Sequence, residues 1–188
     1  MTRFDRASHD EPVAFTVQQA LSRLEPSPGL VVLMCGVAGS GKTTFSQALE
    51  AKGFARLSID EEVWATSGRY GIDYSPADHG ARLALARAAI KQQLSANLAS
   101  RTPTVVDSSF WSLAHRNEYK ALVEAAGCSW RLVYLKTAEN VLAARIAGRR
   151  DRIDANAALP ITSEVLRGFL RSFEEPSGEG ELVVVADD

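Results

Sequence analysis

The stretch Leu30-Val-Val-Leu-Met-Cys-Gly-Val-Ala-Gly-Ser-Gly-Lys-Thr-Thr44 decides the fold of this chain. Its first six residues are all apolar, which is typical of a strand buried on both faces of a parallel sheet. A turn with three glycines follows, and a helix is predicted from Thr43 to about Lys52, where Gly53 ends it. This order of strand, turn and helix places the turn at the edge of a sheet where ligands bind.

The turn itself has the pattern of a phosphate-binding loop, because Gly36 to Thr43 fits G-x-x-x-x-G-K-(S/T). Its glycines let the backbone point successive N–H groups at phosphate oxygens, and the helix N-terminus adds a positive dipole end. Lys42 is predicted to bind the β- and γ-phosphates, and the Thr43 hydroxyl to ligate Mg²⁺. The predicted nucleotide-binding residues are Gly36, Val37, Ala38, Gly39, Ser40, Gly41, Lys42, Thr43 and Thr44.

Strands and helices alternate along the rest of the chain, which predicts an α/β fold with a parallel five-stranded sheet and helices on both faces. The other predicted strands are Phe54–Ile59, Thr104–Asp107, Arg131–Leu135 and Leu182–Val185. The other predicted helices run over Pro12–Glu25, from Pro76 to about Ser100, from a cap at Ser112 to Gly127, from a cap at Thr137 to about Arg150, and from Thr162 or Ser163 to about Glu174.

Two aspartates, Asp60 and Asp107, end the second and third predicted strands. Because ligands bind beyond the carboxyl ends of parallel strands, both are expected to face the phosphate-binding loop. One could hold Mg²⁺ through a water and the other accept the proton of an attacking hydroxyl. We assign the base to Asp60 and the metal- or substrate-orienting role to Asp107. The alternatives are a helix cap for Asp60 and an Asx turn for Asp107.

Four arginines lie on or just beyond the helix after the fourth strand: Arg145, Arg149, Arg150 and Arg152. Guanidinium groups stabilise charge on a transferring phosphoryl group, and a mobile segment carrying them could close over the nucleotide and exclude water. Arg145 and Arg149 are four residues apart and share a helix face, so they are the preferred catalytic pair. The alternative is a solvated helix end, since Asp151 and Asp154 lie among the arginines.

Aromatic residues surround the two aspartates in sequence, both in Val63–Tyr74 and directly after Asp107. Aromatic walls with a few polar groups are typical of a small-molecule pocket. The predicted acceptor-binding residues are Asp60, Trp64, Asp107, Phe110, Trp111 and Arg116. The alternative for each aromatic residue taken singly is ordinary core packing.

These motifs resemble the small P-loop kinases that include the zeta toxins, chloramphenicol phosphotransferase and phage polynucleotide kinase, a group of AAA-type ATP-binding proteins. The resemblance spans about Leu30 to Val185 and rests on Gly36–Thr44, Leu57–Asp60, Val105–Ser109 with Arg116, Arg145–Arg149 and Phe173–Pro176. It implies the three-layer sandwich of P-loop NTPases with an arginine-rich lid, and transfer of the γ-phosphoryl group of ATP to a hydroxyl with Mg²⁺. It also implies that Asp60 is the base, that Arg145 and Arg149 are lid residues, and that a loop at Glu175–Gly178 borders the adenine. We therefore divide the chain into an N-terminal extension with a packing helix (1–28) and a P-loop kinase domain (29–188).

The acceptor is expected to be a small molecule rather than a nucleic acid. Polynucleotide kinases of this group carry an arginine three residues after the base, where this chain has Val63. The net charge of -2 and pI of about 6.0 also lack the basic character of nucleic-acid binders, without excluding a local basic site. A polynucleotide 5′-hydroxyl kinase and an ATP-binding regulatory switch remain the alternatives. The identity of the acceptor and the oligomeric state do not follow from the sequence.

The cellular setting is expected to be the cytoplasm, with no membrane partner. The longest apolar run, Leu30–Cys35, is far short of the ~20 residues that span a bilayer, and the N-terminus lacks a secretory apolar region. Cys35 and Cys128 are expected to be buried thiols rather than a disulfide or metal ligands.

Overall fold

A computed structural model of the chain describes residues 14–149, 154–155 and 160–185. The strands are β1 (Leu30–Cys35), β2 (Ala55–Ser58), β3 (Thr104–Asp107), β4 (Ser129–Lys136) and β5 (Glu181–Val185). The helices are α1 (Val17–Ser22), α2 (Lys42–Ala51), α3 (Ile59–Ser67), α4 (His79–Ala99), α5 (Leu113–Ala125), α6 (Glu139–Ala147) and α7 (Ser163–Ser172). A short 3-10 turn, Pro76–Asp78, precedes α4.

The five strands form one parallel sheet in the order β2-β3-β1-β4-β5, which confirms the predicted α/β P-loop fold. β1 lies at the centre, and all six of its residues are buried. Its unbroken apolar run follows from this position, since a central strand of a parallel sheet is covered on both faces. The phosphate-binding loop therefore starts from the most enclosed strand of the sheet.

The two faces of the sheet bury separate apolar layers, and β1 contributes alternate residues to each. Val31, Leu33 and Cys35 pack with residues of α3, α4 and α5 on one face. Val32 and Met34 pack with residues of α1 and α2 on the other face. Helices on both sides of one sheet make three layers, as predicted.

Several helix starts differ from the sequence-based predictions; α4, for example, begins at His79 rather than Pro76. α1 begins at Val17, where Thr16 and Gln19 form a capping box, and residues 12–13 lie outside the described part of the chain. α3 begins at Ile59, directly after β2, and was not predicted as a complete helix. α6 has Ala138 rather than Thr137 at its N-cap, because the Thr137 hydroxyl donates instead to the carbonyl of Ser40 at 3.4 Å.

The remaining expectations concern the thiols and the membrane. Cys35 is buried and Cys128 is half-buried, and both are free thiols. No helix in the described ranges is both long enough and apolar enough to cross a bilayer.

Candidate functional site

The conformation of the phosphate-binding loop depends on glycines at tight positions. Gly36 and Gly41 have φ angles of 144° and 99°, which favour glycine. A Cβ on Gly36 would lie 2.7 Å from the Ser40 hydroxyl and 3.0 Å from the carbonyl of Leu135, so no larger residue fits without a shift. Ser40 is 1% exposed, and its hydroxyl has no hydrogen-bond partner in the described part of the chain. A tight backbone cradle with an unpartnered buried donor fits phosphate oxygens.

Lys42 points its charge into this loop. Its Nζ donates to the carbonyl of Val37 at 2.9 Å, so the side chain folds back across the turn. Burial lowers the pKa of Lys42, because desolvation disfavours its charged form. The negative charges of Asp107 and Asp60 raise that pKa, but by less. Both aspartates are therefore close enough to Lys42 to interact with its charge, as expected from their strand ends.

Asp60 lies in the first turn of α3, at the end of β2. It is not the helix cap, because the hydroxyl of Ser58 accepts the cap hydrogen bond from the N–H of Glu61 at 3.4 Å. The residue is exposed to solvent, yet protein atoms surround its carboxylate closely enough that desolvation raises its pKa, against the attraction of Lys42. A partly desolvated carboxylate with a raised pKa, on a residue that solvent reaches, has the properties of a general base.

Asp107 ends β3 and is buried, with 5% of its side chain exposed. Its Oδ2 accepts hydrogen bonds from the hydroxyl of Ser46 at 2.9 Å and from the guanidinium of Arg56 at 2.8 Å. These partners come from α2 and β2, so Asp107 does not form the local Asx turn that was the alternative.

The loop and Asp107 together offer the oxygen donors that Mg²⁺ prefers. The Ser46 hydroxyl also lies 2.9 Å from the carbonyl of Thr43, which links Asp107 to the residue expected to ligate the metal. The described residues contain no group of three or more His, Cys, Asp or Glu that could hold a metal ion. Mg²⁺ is commonly held by one or two protein oxygens together with substrate phosphates.

The two preferred arginines both approach the loop from α6 and its C-terminal end. The guanidinium of Arg145 lies 3.9 Å from where a Cβ on Gly41 would stand. Arg149 is close enough to Lys42 that its positive charge also lowers the pKa of that lysine. This effect is smaller than those of desolvation and of the two carboxylates. The other two predicted lid residues, Arg150 and Arg152, lie outside the described residues.

Two of the predicted acceptor residues, Phe110 and Trp111, pack away from the two carboxylates. Phe110 is fully buried, with its ring 4.9 Å from Tyr119 and 5.0 Å from His115. Trp111 packs edge-on against Phe169 of α7 at 5.3 Å. These contacts favour the core-packing alternative for Phe110 and an inter-helix contact for Trp111. Trp64, in contrast, is half-buried and shares α3 with Asp60.

Arg116 also has a different place from the one predicted. Its side chain is 1% exposed, and its guanidinium donates to Glu179 through both Nε and Nη2, the latter at 2.6 Å. Its Nη1 donates to the carbonyls of Phe110 at 3.0 Å and Glu174 at 2.8 Å. With these donors engaged inside the protein, Arg116 holds the segment before β5 rather than an acceptor.

The segment 174–180 contains the loop that the resemblance places beside the adenine. It precedes β5 and runs from the carboxyl edge of the sheet, where Lys136 pairs with Glu175 at 2.6 Å, to the amino edge. There a Cβ on Gly180 would lie 3.6 Å from the ring of Trp130. At the phosphate edge, Glu175 lines a small pocket together with Val37 of the phosphate-binding loop and Lys136, and the adenine contact of Glu175–Gly178 stays a prediction.

One residue next to the candidate site was missed. Arg56 lies in β2, and its guanidinium contacts Asp107, Ser46 and Glu61. The signal in the sequence was an arginine inside a short strand of a buried parallel sheet, since a buried arginine needs a carboxylate partner.

A comparison with known protein families decides the family of the chain. Residues 31–176, well over half of the chain, match the family described as "AAA domain". The chain belongs to this AAA domain family. The phosphate-binding loop, Asp60, Asp107 and Arg145 all lie within the matched residues.

Similar proteins share the architecture of this AAA domain. The curated UPF0200 protein PAE1629 of Pyrobaculum aerophilum is 28% identical over 119 residues, 63% of this chain and 66% of the relative, so the chain spans just under two thirds of that relative's length. A candidate kinase from Chloroflexus aurantiacus has a TM-score of 0.67 at 20% identity, with 85% of this chain and 89% of that chain covered. A gluconokinase from Sinorhizobium meliloti has a TM-score of 0.54 at 28% identity, with 85% and 82% covered. The chain thus has the fold of the small P-loop kinases, and these likenesses support a phosphotransferase.

Proposed function

We propose that the chain is an ATP- and Mg²⁺-dependent kinase that transfers the γ-phosphoryl group to a hydroxyl of a small molecule. The observation that carries this proposal is the placement of Asp60. Asp60 is an exposed residue at the end of β2, and its carboxylate, with a pKa raised by desolvation, lies within electrostatic reach of Lys42 of the phosphate-binding loop. A nucleotide-binding switch would need the loop but not a base beside it.

The chemistry assigns one role to each of these groups. Asp60 would accept the proton of the acceptor hydroxyl while that oxygen bonds to the γ-phosphorus and the bond to the β–γ bridging oxygen breaks, which leaves ADP. Lys42, Arg145 and Arg149 would hold the oxygens of the transferring group and neutralise their charge. Thr43 and Asp107 would hold Mg²⁺, which when bound neutralises charge on the β- and γ-phosphates.

A small-molecule acceptor is supported by the surroundings of Asp60. The residue three positions on, Val63, is 6% exposed and packs into the core, so α3 presents no cation there for a nucleic-acid phosphate. The gluconokinase to which the chain is similar acts, by its name, on a small hydroxylated molecule. We therefore place metabolites ahead of oligonucleotides as acceptors.

The test is ADP release from ATP and Mg²⁺ across a panel of sugars, sugar acids, other hydroxylated metabolites and 5′-hydroxyl oligonucleotides. One acceptor should stimulate release in the wild type, and Asp60→Asn and Lys42→Ala should abolish the stimulation. Asp78→Asn is the matched control, because this exposed aspartate makes no side-chain cap hydrogen bond at α4.

The other outcomes of this assay would replace the proposed function or change the role of Asp60. Stimulation by oligonucleotides alone, falling steeply with added salt, would replace the proposal with an end kinase. An acceptor-stimulated rate that survives Asp60→Asn would remove Asp60 as the base. ATP binding without stimulation by any acceptor would favour the regulatory switch.

A further inference from the structure

One guanidinium joins four elements next to the candidate site. Arg56 lies in β2 with only 5% of its side chain exposed. Its Nε donates to the hydroxyl of Ser46 on α2 at 2.9 Å. Its Nη2 donates to Oδ2 of Asp107 on β3 at 2.8 Å, and its two terminal nitrogens form a fork with the carboxylate of Glu61 on α3, both at 2.9 Å.

These contacts fix the orientation of the Asp107 carboxylate. Oδ2 accepts from both Arg56 and Ser46, whereas Oδ1 receives no hydrogen bond from the described part of the chain. Because two donors hold one oxygen, the carboxylate cannot rotate freely and its other oxygen keeps one direction. The Ser46 hydroxyl is also within 2.9 Å of the Thr43 carbonyl, so the same network reaches the start of α2.

The fork to Glu61 extends the network to the second carboxylate of the site. Glu61 is the neighbour of Asp60 in the first turn of α3. A planar guanidinium that binds Glu61 through two nitrogens fixes that turn in both distance and rotation, which a lysine ammonium cannot do. The pairing of Ser58 with Asp107 brings Asp60 near Asp107, and Arg56 adds a side-chain link between the turn that carries Asp60 and the Asp107 carboxylate.

We propose that Arg56 is a positioning residue, which turns the free oxygen of Asp107 toward the magnesium position and ties the turn that carries Asp60 to the phosphate-binding helix. This inference rests on the role of Asp107 in the proposed function. Partners that orient a metal-binding group typically affect metal affinity by about 10- to 100-fold. A purely structural ion pair would instead affect folding and nucleotide binding without singling out Mg²⁺.

The readout that separates these roles is the ratio of ATP affinities measured by calorimetry with Mg²⁺ and with EDTA, which needs no acceptor. Arg56→Met should reduce this ratio about tenfold or more. Arg56→Lys keeps a positive charge but loses the fork, so it should reduce the ratio to an intermediate value and also serves if the methionine variant fails to fold. Arg131→Met is the matched control, because Arg131 is exposed in the amino half of β4.

A double mutant then shows whether Arg56 acts through Asp107. In an Asp107→Asn background, Arg56→Met should leave the ratio where Asp107→Asn alone has set it. The proposal is overturned if both Arg56 variants keep the wild-type ratio, or if the effects of the two substitutions add. It is also overturned if Asp107→Asn keeps the wild-type ratio, and that result is separate from a failed kinase assay because ATP binding alone is measured.

Discussion

Replacement of Arg116 by methionine should destabilise the protein without changing how it binds an acceptor. The guanidinium is 1% exposed and pairs with Glu179, which is itself only 11% exposed. Arg116→Met keeps a long apolar side chain but removes every donor. The carboxylate of Glu179 would then retain Lys120, at 2.9 Å, and the carbonyls of Phe110 and Glu174 would lose the guanidinium donor.

The size of the loss follows from these contacts. Removal of one member of a buried ion pair costs about 3–5 kcal/mol, and the remaining Lys120 favours the lower end, near ~3 kcal/mol. For a domain of this size, each kcal/mol lowers the melting temperature by about 2–4 °C, so a decrease of roughly 6–12 °C is expected. Arg69→Met, which breaks an exposed arginine–aspartate pair, should lower the stability far less than Arg116→Met.

Urea denaturation at neutral pH followed by circular dichroism measures both variants against the wild type. Once an acceptor is known, its KM should be the same for Arg116→Met and wild type below the melting transition. The reasoning would be refuted by a variant with wild-type stability and a raised KM, because that result would return Arg116 to the acceptor pocket predicted from the sequence.

Three further predictions concern single residues. Asp60→Asn should raise the melting temperature at pH 7 but not near pH 3. The pKa of Asp60 in the folded protein lies above its usual 3.8, so the folded state becomes less stable as the pH rises through that pKa and the carboxyl ionises. Differential scanning fluorimetry at both pH values measures this. Gly36→Ala should weaken ATP binding about tenfold or more in calorimetry, because its Cβ would stand 2.7 Å from the Ser40 hydroxyl. Phe110→Ala should cost about 3–5 kcal/mol in urea denaturation, since the ring is fully buried.

Each of these three predictions has a control variant or a result that would contradict it. For Asp60→Asn, the control is Asp78→Asn, which should leave the melting temperature unchanged at both pH values. An equal rise in melting temperature at pH 3 and pH 7 for Asp60→Asn would show that loss of the negative charge does not cause the stabilisation. For the loop, Gly80→Ala is the control, because a Cβ there meets no atom within 4 Å; wild-type ATP affinity in Gly36→Ala would contradict a tight cradle. A stable Phe110→Ala variant would contradict the core role of that ring.

The sequence predicted the fold closely because its signals are local. The apolar run of β1 has the bounds that were predicted, and β3 ends at Asp107 as expected. The first turn of α3 was harder, since Asp60 and its acidic neighbours can cap a helix or lie within one. Only the hydrogen bond from the N–H of Glu61 to Ser58 decides between these.

The placement of candidate residues was predictable where it depends on the loop or on a strand end, as for Lys42 and Asp60. It was not predictable where the partner lies far along the chain. Arg116 pairs with Glu179, 63 residues away, and Arg56 with Asp107, 51 residues away. Spacing along the chain carries no information about such pairs, so an arginine near a strand end was taken for a substrate ligand.

Phe15 forms an isolated β-bridge along the outer edge of β5, and this contact affects how the protein can be truncated. Its N–H donates to the carbonyl of Val183 at 2.9 Å, and its carbonyl accepts from the N–H of Val185 at 3.0 Å, so Phe15 covers part of the outer edge of β5. An uncovered outer strand is a template for pairing with other molecules and for aggregation. A chain trimmed to begin at the phosphate-binding strand would lose this contact and expose the edge of β5, which is the outer strand farthest from β2.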